Sequence, residues 1–402
     1  MSETAAHLRD HVIPYVPVRQ WVLSVPRRVR YHLARKGKLR REVLAILIGE
    51  IARWMRRRIG RRDGRHGSVT CIQRFGGSLN LNVHMHSLVL DGLYVPGAAG
   101  TKPVFVPVPE PKERDLFAIL DRVEWRVRGL LVRRGIIDED DEEFDAIGAE
   151  GPESFDRIRA ASIQGMLAFS EATAYVGKVG RDPRLPFVPA VRVGAVELEG
   201  YSLHAGVRIE GDDRDGLEKL CRYVLRPPFS QERFEELEDG RIAYRMRHRH
   251  MDGSTHVVLR PQELLERLAA LVPTPRQHLV IYHGVVAPNA RWRGAVTAAC
   301  EEGATCRKRG RGRCSYTWAE MMKRTFKVDV LSCPKCGGRM RFIALIGQDQ
   351  PEVVEKILRS MGYEAEMPPR GAARGPPDES PDAWEAEGEW NEPGDESAWL
   401  ES

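Results

Sequence analysis

The run Gln73-Arg-Phe-Gly-Gly-Ser-Leu-Asn-Leu-Asn-Val-His-Met-His-Ser-Leu-Val-Leu-Asp91 alternates polar and apolar side chains after a Gly-Gly turn, and this constrains the fold more than any other stretch. Strand side chains point to opposite faces with a period of two. Asn82, His84 and His86 therefore share one face, while Val83, Met85 and Leu88 are expected on the side that a sheet buries. Phe75-Gly-Gly77 is a turn signal, so strand 69–75 is expected to fold back antiparallel on strand 81–90. Two imidazoles on one strand face make a ready pair of metal ligands.

The chain has 402 residues, 42% hydrophobic and 30% charged, enough to bury a sizeable core in two or three structural units. No run of eighteen apolar residues occurs and the N-terminus lacks an apolar signal core, so no membrane association is expected and the cytoplasm is the default address. Seven Cys with one close pair do not resemble a secreted disulfide framework. Net charge is unevenly spread: residues 1–70 carry +12, residues 365–402 carry −9, and residues 1–364 together carry +14. A basic body is the electrostatic footprint of a phosphate-backbone binder, although Arg clusters also serve as solvated faces.

Residues 39–59 show a helical apolar stripe with Arg53, Arg56, Arg57 and Arg58 at its C-terminal end. These cations suit both the helix dipole and a DNA backbone. Further helices are expected over 113–134 and 153–178, with a strand over 203–209 bearing His204. The acidic patch 138–143 reads as a solvated loop, and 368–402 as a disordered tail. After strand 203–209, acids at Asp212 and Asp213, apolar Leu217, Leu220 and Val224, and the stop at Pro227-Pro228 describe a short helix. Tyr223 lies in its last turns between Arg222 and Arg226, one turn apart and able to hold a phosphate beside the phenol. A Tyr in such a helix is, taken alone, more often a core-edge residue than a nucleophile.

Beyond these local patterns, the phrases Leu79-Asn-Leu-Asn-Val-His-Met-His86, Asp91-Gly-Leu-Tyr94, Leu203-His-Ala-Gly-Val207, Leu220-Cys-Arg-Tyr-Val-Leu-Arg-Pro-Pro228, Tyr282-His-Gly-Val-Val-Ala-Pro-Asn289 and Cys333-Pro-Lys-Cys-Gly-Gly338 occur in an order that resembles the rolling-circle insertion-sequence transposases of the HUH endonuclease superfamily. The resemblance runs from about Val12 to about Tyr363. It implies an α+β fold, an antiparallel sheet with helices on one side, and a bacterial, nucleoid-associated enzyme that nicks and rejoins single-stranded DNA at transposon ends and targets. It assigns Tyr223 as the nucleophile of a 5′-phosphotyrosyl intermediate, with Mg²⁺ or Mn²⁺ held by His84, His86 and a third ligand. Gln73, on the partner strand, is the first choice for that ligand, with Asn82 and His204 as alternatives. Arg222, Arg226, Arg56 and Arg57 are the DNA-binding candidates. Relatives with two tyrosines place them four residues apart; here Lys219 occupies the earlier position, so the chain resembles the single-tyrosine branch. Sequential use of Tyr223, or a second subunit in a homo-oligomer, then meets the need for two linkages.

Plasmid replication initiators and relaxases of the same superfamily, and non-catalytic DNA-binding transposon remnants, are the alternative classes. Cys333 and Cys336 form half of a four-ligand Zn²⁺ site, which Cys300, Cys306 and Cys314 could complete or leave as free thiols. Family members usually begin with a Cys/His-rich zinc-binding segment; with no Cys before Cys71, this chain is expected to lack it. The expected organisation is a basic helical region (1–68), a catalytic domain (69–260), a C-terminal region with the Cys-x-x-Cys knuckle (261–364) and an acidic tail (365–402).

Overall fold

A computed structural model describes residues 1–98, 101–137, 154–169, 178–179, 194–249, 253–297, 307–309, 313–341, 343, 346 and 350–362. The elements run α1 (Ser2–His11), β1 (Val18–Ser24), α2 (Arg27–Arg35), α3 (Gly37–Ile59), β2 (Gly67–Phe75), β3 (Leu81–Leu90), β4 (Gly92–Val95), β5 (Val104–Pro107), α4 (Glu113–Arg133), α5 (Ser154–Ile163), β6 (Lys178–Val179), β7 (Ala195–Leu198), β8 (Tyr201–Ile209) and α6 (Arg214–Val224). They continue with β9 (Phe234–Glu236), β10 (Ile242–Arg245), β11 (His256–Leu259), α7 (Pro261–Leu271), β12 (Val280–Gly284), α8 (Arg293–Thr297), β13 (Arg307–Arg309), β14 (Arg313–Ser315), α9 (Trp318–Phe326) and α10 (Pro351–Ser360). The fold is α+β, and the described residues fall into two units divided near Ala304.

The larger unit is built on a six-stranded antiparallel sheet in the order β12-β2-β3-β1-β8-β7. The hairpin expected from the Gly-Gly turn forms, with Gln73 opposite His84 and Cys71 opposite His86. β1, from the basic N-terminal stretch, lies between β3 and β8, and β12, from beyond residue 260, forms one edge. Every residue of β1, β2 and β3 is buried, because helices cover both faces of the sheet. Trp21, Leu23, Ile72, Val83, Met85 and Val89 share a core with side chains of α2, α3 and α4. Trp21 meets Trp54 of α3 edge-on at 5.9 Å, a geometry that aligns ring edge and face. On the opposite face, Val69, Cys71, Leu88 and Leu90 pack with Ala5 and Leu8 of α1 and Leu217, Leu220 and Val224 of α6.

Three expectations change here. Helices cover both faces rather than one, because α6 lays its apolar side, Leu217, Leu220, Cys221 and Val224, on the histidine face. Leu88 lies on that same face, since it is an even number of residues from His84 and His86. The helix expected over 153–178 is shorter: α5 stops at Ile163, followed by Gly165 at φ +74°, a conformation that ends a helix. The patch 138–143 and the tail 368–402 lie outside the described residues. No helix among the described residues is long and apolar enough to cross a membrane. The smaller unit holds the β13–β14 hairpin, α9 with its Thr317–Glu320 capping box, the Cys333–Gly338 turn and α10.

Three strands of the sheet are tied at one end by a buried carboxylate. Asp91, just after β3, accepts from Arg19 Nε at 3.1 Å and Arg19 Nη2 at 3.2 Å, both on β1, and from Arg208 Nε of β8 at 2.8 Å. Asp91 and Arg19 are each 1% exposed, and Arg19 also donates to the Ala205 carbonyl at 2.9 Å. Breaking a buried pair from one side strands a desolvated charge and costs about 3–5 kcal/mol, whereas replacing both partners by apolar groups is nearly neutral. Asp91→Asn should therefore lower the urea midpoint sharply, and Asp91→Leu with Arg19→Met should recover most of the loss. A midpoint for Asp91→Asn close to wild type would show that the tie contributes little.

Candidate active site

The β2–β3 register and the seat of α6 bring four sequence-selected residues together. The His84 and His86 rings lie 4.8 Å apart between centroids, and His86 meets the Tyr223 ring at 5.9 Å and 81°. α6 starts where the Asp213 carboxylate accepts from Gly216 N at 2.8 Å. Its end is held by Gln73, whose Nε2 donates to the Val224 carbonyl at 3.0 Å. One side chain on β2 thus fixes the turn that carries Tyr223 beside the imidazoles.

Hydrogen bonding sets which ring nitrogens face outward. His84 Nδ1–H donates to the Asn82 carbonyl at 3.0 Å, which leaves the Nε2 lone pair available. His86 Nδ1 lies 2.7 Å from the side-chain amide of Gln20 on β1. Gln20 Nε2 faces the ring, an orientation in which Nδ1 accepts; rotating the amide so that Oε1 faces it makes Nδ1–H the donor and Nε2 likewise a lone pair. Both Nε2 atoms are buried without a hydrogen-bond partner, as are Gln73 Oε1 and Asn82 Oδ1. Leaving a buried polar atom unsatisfied costs about 1–3 kcal/mol, so these four, on neighbouring positions of β2 and β3, make a candidate binding site.

Burial pushes the His84 imidazole down to about 3, against the Asn82 hydrogen bond and with help from Arg226 and Arg30. Burial also holds His86 well below its ordinary range, aided by His84, Arg226 and His204. Both rings are neutral at physiological pH, the form that ligates a metal. Two nitrogens with Gln73 Oε1 or Asn82 Oδ1 fit a small divalent cation. His204 lies across β1, where Val22 pairs with both His86 and His204. Among the described residues, no group of three or more His, Cys, Asp or Glu gathers as a metal site.

Of the four arginines selected from the sequence, Arg226 reaches the tyrosine, its guanidinium carbon 4.3 Å from the ring centroid. Arg222 turns one helical turn back to Glu218, at 3.0 Å. Arg56 and Arg57 lie at the end of α3, where Arg56 Nε donates to the Gly64 carbonyl at 2.9 Å, beside the start of β2. That is about 20 Å along the strand from Gln73. Gln20 was not singled out from the sequence; the signal that could have found it is a polar residue inside the wholly buried strand Val18–Ser24.

In the smaller unit, Gly337 N donates to the Cys333 carbonyl at 2.8 Å and Cys333 N to the Gly338 carbonyl at 2.9 Å. Backbone N–H groups of Cys336 and Lys335 lower the Cys333 thiol. Cys300 and Cys306, and the Cys314 side chain, lie outside the described residues.

The chain matches no curated protein and no solved structure. Residues 67–293, which hold the histidine hairpin, α6 and β12, match the family model described as "Putative transposase". That match spans more than half of the chain, and the protein is a member of this transposase family, a class of enzymes that cleave DNA and transfer its strands.

Proposed function

We propose that this transposase is an HUH-type enzyme that nicks and rejoins single-stranded DNA through Tyr223 in rolling-circle-like transposition. The observation that carries the reading is the half-buried Tyr223 packed edge-on to His86, beside four buried, unpartnered N and O atoms. Tyr223 Oη attacks the scissile phosphorus in line. A bond forms between Oη and the 5′ phosphate, the P–O3′ bond breaks, the phenol gives up its proton, and the departing 3′ oxygen gains one. Rejoining is the reverse attack by a 3′-hydroxyl, and the ester conserves the bond energy, so no nucleotide hydrolysis is needed. Arg226 packs its cation on the phenol ring and orients it. His84, His86 and Gln73, with Asn82 as the neighbouring alternative, would hold the divalent ion. When bound, Mg²⁺ or Mn²⁺ supplies positive charge to polarise the phosphate and offset the charge of the transition state. The Cys333–Cys336 turn would offer two thiolates to Zn²⁺.

On incubation with labelled single-stranded DNA from the element ends and Mn²⁺, the wild type should give a slow-migrating covalent adduct on a denaturing gel. Tyr223→Phe should give none while keeping its DNA affinity. An adduct with the Phe variant would remove Tyr223 from the nucleophile role. Because His84 protonates only at about 3, the neutral ligand form persists well below 6.5, so Mn²⁺ affinity should stay flat from about pH 7.5 to about pH 5. An exposed His pair would lose affinity across that window. Gln20→Leu leaves His86 Nδ1 without its partner and should weaken Mn²⁺ binding about 10- to 100-fold by titration calorimetry. Unchanged affinity would show that Gln20 does not position the ligand.

A further inference from the structure

A second basic site lies at the opposite end of β2. The loops after α3 and after β12 line an open cavity of about 780 Å³ whose walls include Arg56, Arg62, Arg65, His66, Arg291 and Trp292. Asp63 is its one carboxylate, and Arg61 takes it at 2.7 Å. Among the described residues, Arg62 and Arg291 make no ion pair. The walls are fixed by backbone rather than by long side chains. Arg65 exchanges main-chain hydrogen bonds with Tyr94 at 2.8 and 2.9 Å, and Val285 N donates to the His66 carbonyl at 2.8 Å. Gly284 holds φ +63°, and a Cβ there would run into the His66 carbonyl oxygen; one at Gly67 would press on Leu90 and Val285 at 2.9 Å. The Arg65 guanidinium stacks 4.9 Å from the Trp292 ring centroid.

Four guanidiniums around one cavity, with its single carboxylate already paired, repel one another until an anion enters. The planar Arg fork matches phosphate oxygens. The site is not closed around one small ligand: a second recess of about 320 Å³, lined by Arg53, Arg56, Arg57, Gly60 and Arg62, continues the basic surface along α3. A continuous basic track fits a polyanion better than a single phosphate.

We infer that this cavity is a second DNA anchor, which grips a backbone phosphate of the strand about 20 Å from the phosphate that Tyr223 attacks. Its distance from the cut rests on the Tyr223 reading; its charge and shape do not. At about 3.4 Å per stacked nucleotide, 20 Å is about six nucleotides. A strand long enough to reach both places binds twice, and the second contact is intramolecular.

The test is fluorescence anisotropy of fluorescein-labelled oligothymidylates, about 4 to about 30 nucleotides long, against the full chain and an Arg62→Gln/Arg291→Gln variant whose thermal melt is checked first. Wild type should show a step of about tenfold or more in affinity once the strand exceeds about six nucleotides. The variant should lose that step, and its slope of log affinity against log salt should fall by about 0.7 for each phosphate contact removed. A wild type without the step, or a variant that keeps both step and slope, overturns the anchor. Adduct formation is read separately: failure of the wild type to form it sinks the nicking reading and leaves the anchor standing.

Discussion

Burial of β3 on both faces is the constraint on which the rest of the structure depends. All ten residues from Leu81 to Leu90 are buried, and four of them, Asn82, His84, His86 and Ser87, carry polar side chains. A polar group taken from water without a partner costs roughly 2–7 kcal/mol, so each must be satisfied or held for a ligand. Ser87 is satisfied by Thr70 at 2.8 Å, on the face away from the imidazoles. His84 Nδ1 takes the Asn82 carbonyl, and His86 Nδ1 takes Gln20. What remains unsatisfied, two Nε2 atoms with Gln73 Oε1 and Asn82 Oδ1, lies along the β2–β3 hairpin, with His86 against the Tyr223 ring.

The same burial explains how precisely the tyrosine is delivered. α6 is anchored at its start by Asp213, along its length by Leu217, Leu220 and Val224, and at its end by Gln73. Gln73 donates with its nitrogen to the helix and leaves its buried oxygen without a partner, so one amide couples the position of Tyr223 to that of the histidine hairpin. Groups held this way on strands and helices need little reorganisation when substrate arrives. Asp91 acts at the other end of β3, joining it to β1 and β8 and so fixing the frame on which the imidazoles stand.

Positive charge is divided along β2. Arg226 stands at the Tyr223 end, and the Arg56–Arg65 and Arg291 cluster stands at the Gly67 end. A transposase has both to cut at one phosphate and to keep hold of the strand on either side of it. Separating the two groups along one strand keeps the Arg cluster at the Gly67 end from crowding the buried histidines.

The hairpin, the strand expected at 203–209 and formed over Tyr201–Ile209, the short helix ending before Pro227-Pro228 and the shared face of His84 and His86 were legible in the sequence, because each rests on local periodicity and turn chemistry. Phrases spread over the chain also carried the family resemblance. The limits of local reading appear at α6. Parity alone places Leu88 with the histidines, but that α6 covers this face follows only from how its apolar side finds the sheet. Gln20 is some sixty residues from His86 in the chain, and Arg62 and Trp292 are more than two hundred apart. Their meeting depends on β1 inserting beside β3 and on β12 pairing with β2. The sequence by itself determined the elements and the chemistry each one bears. The tertiary structure decided which of them meet, because strand order and the burial of two sheet faces are set by long-range packing that no local pattern encodes.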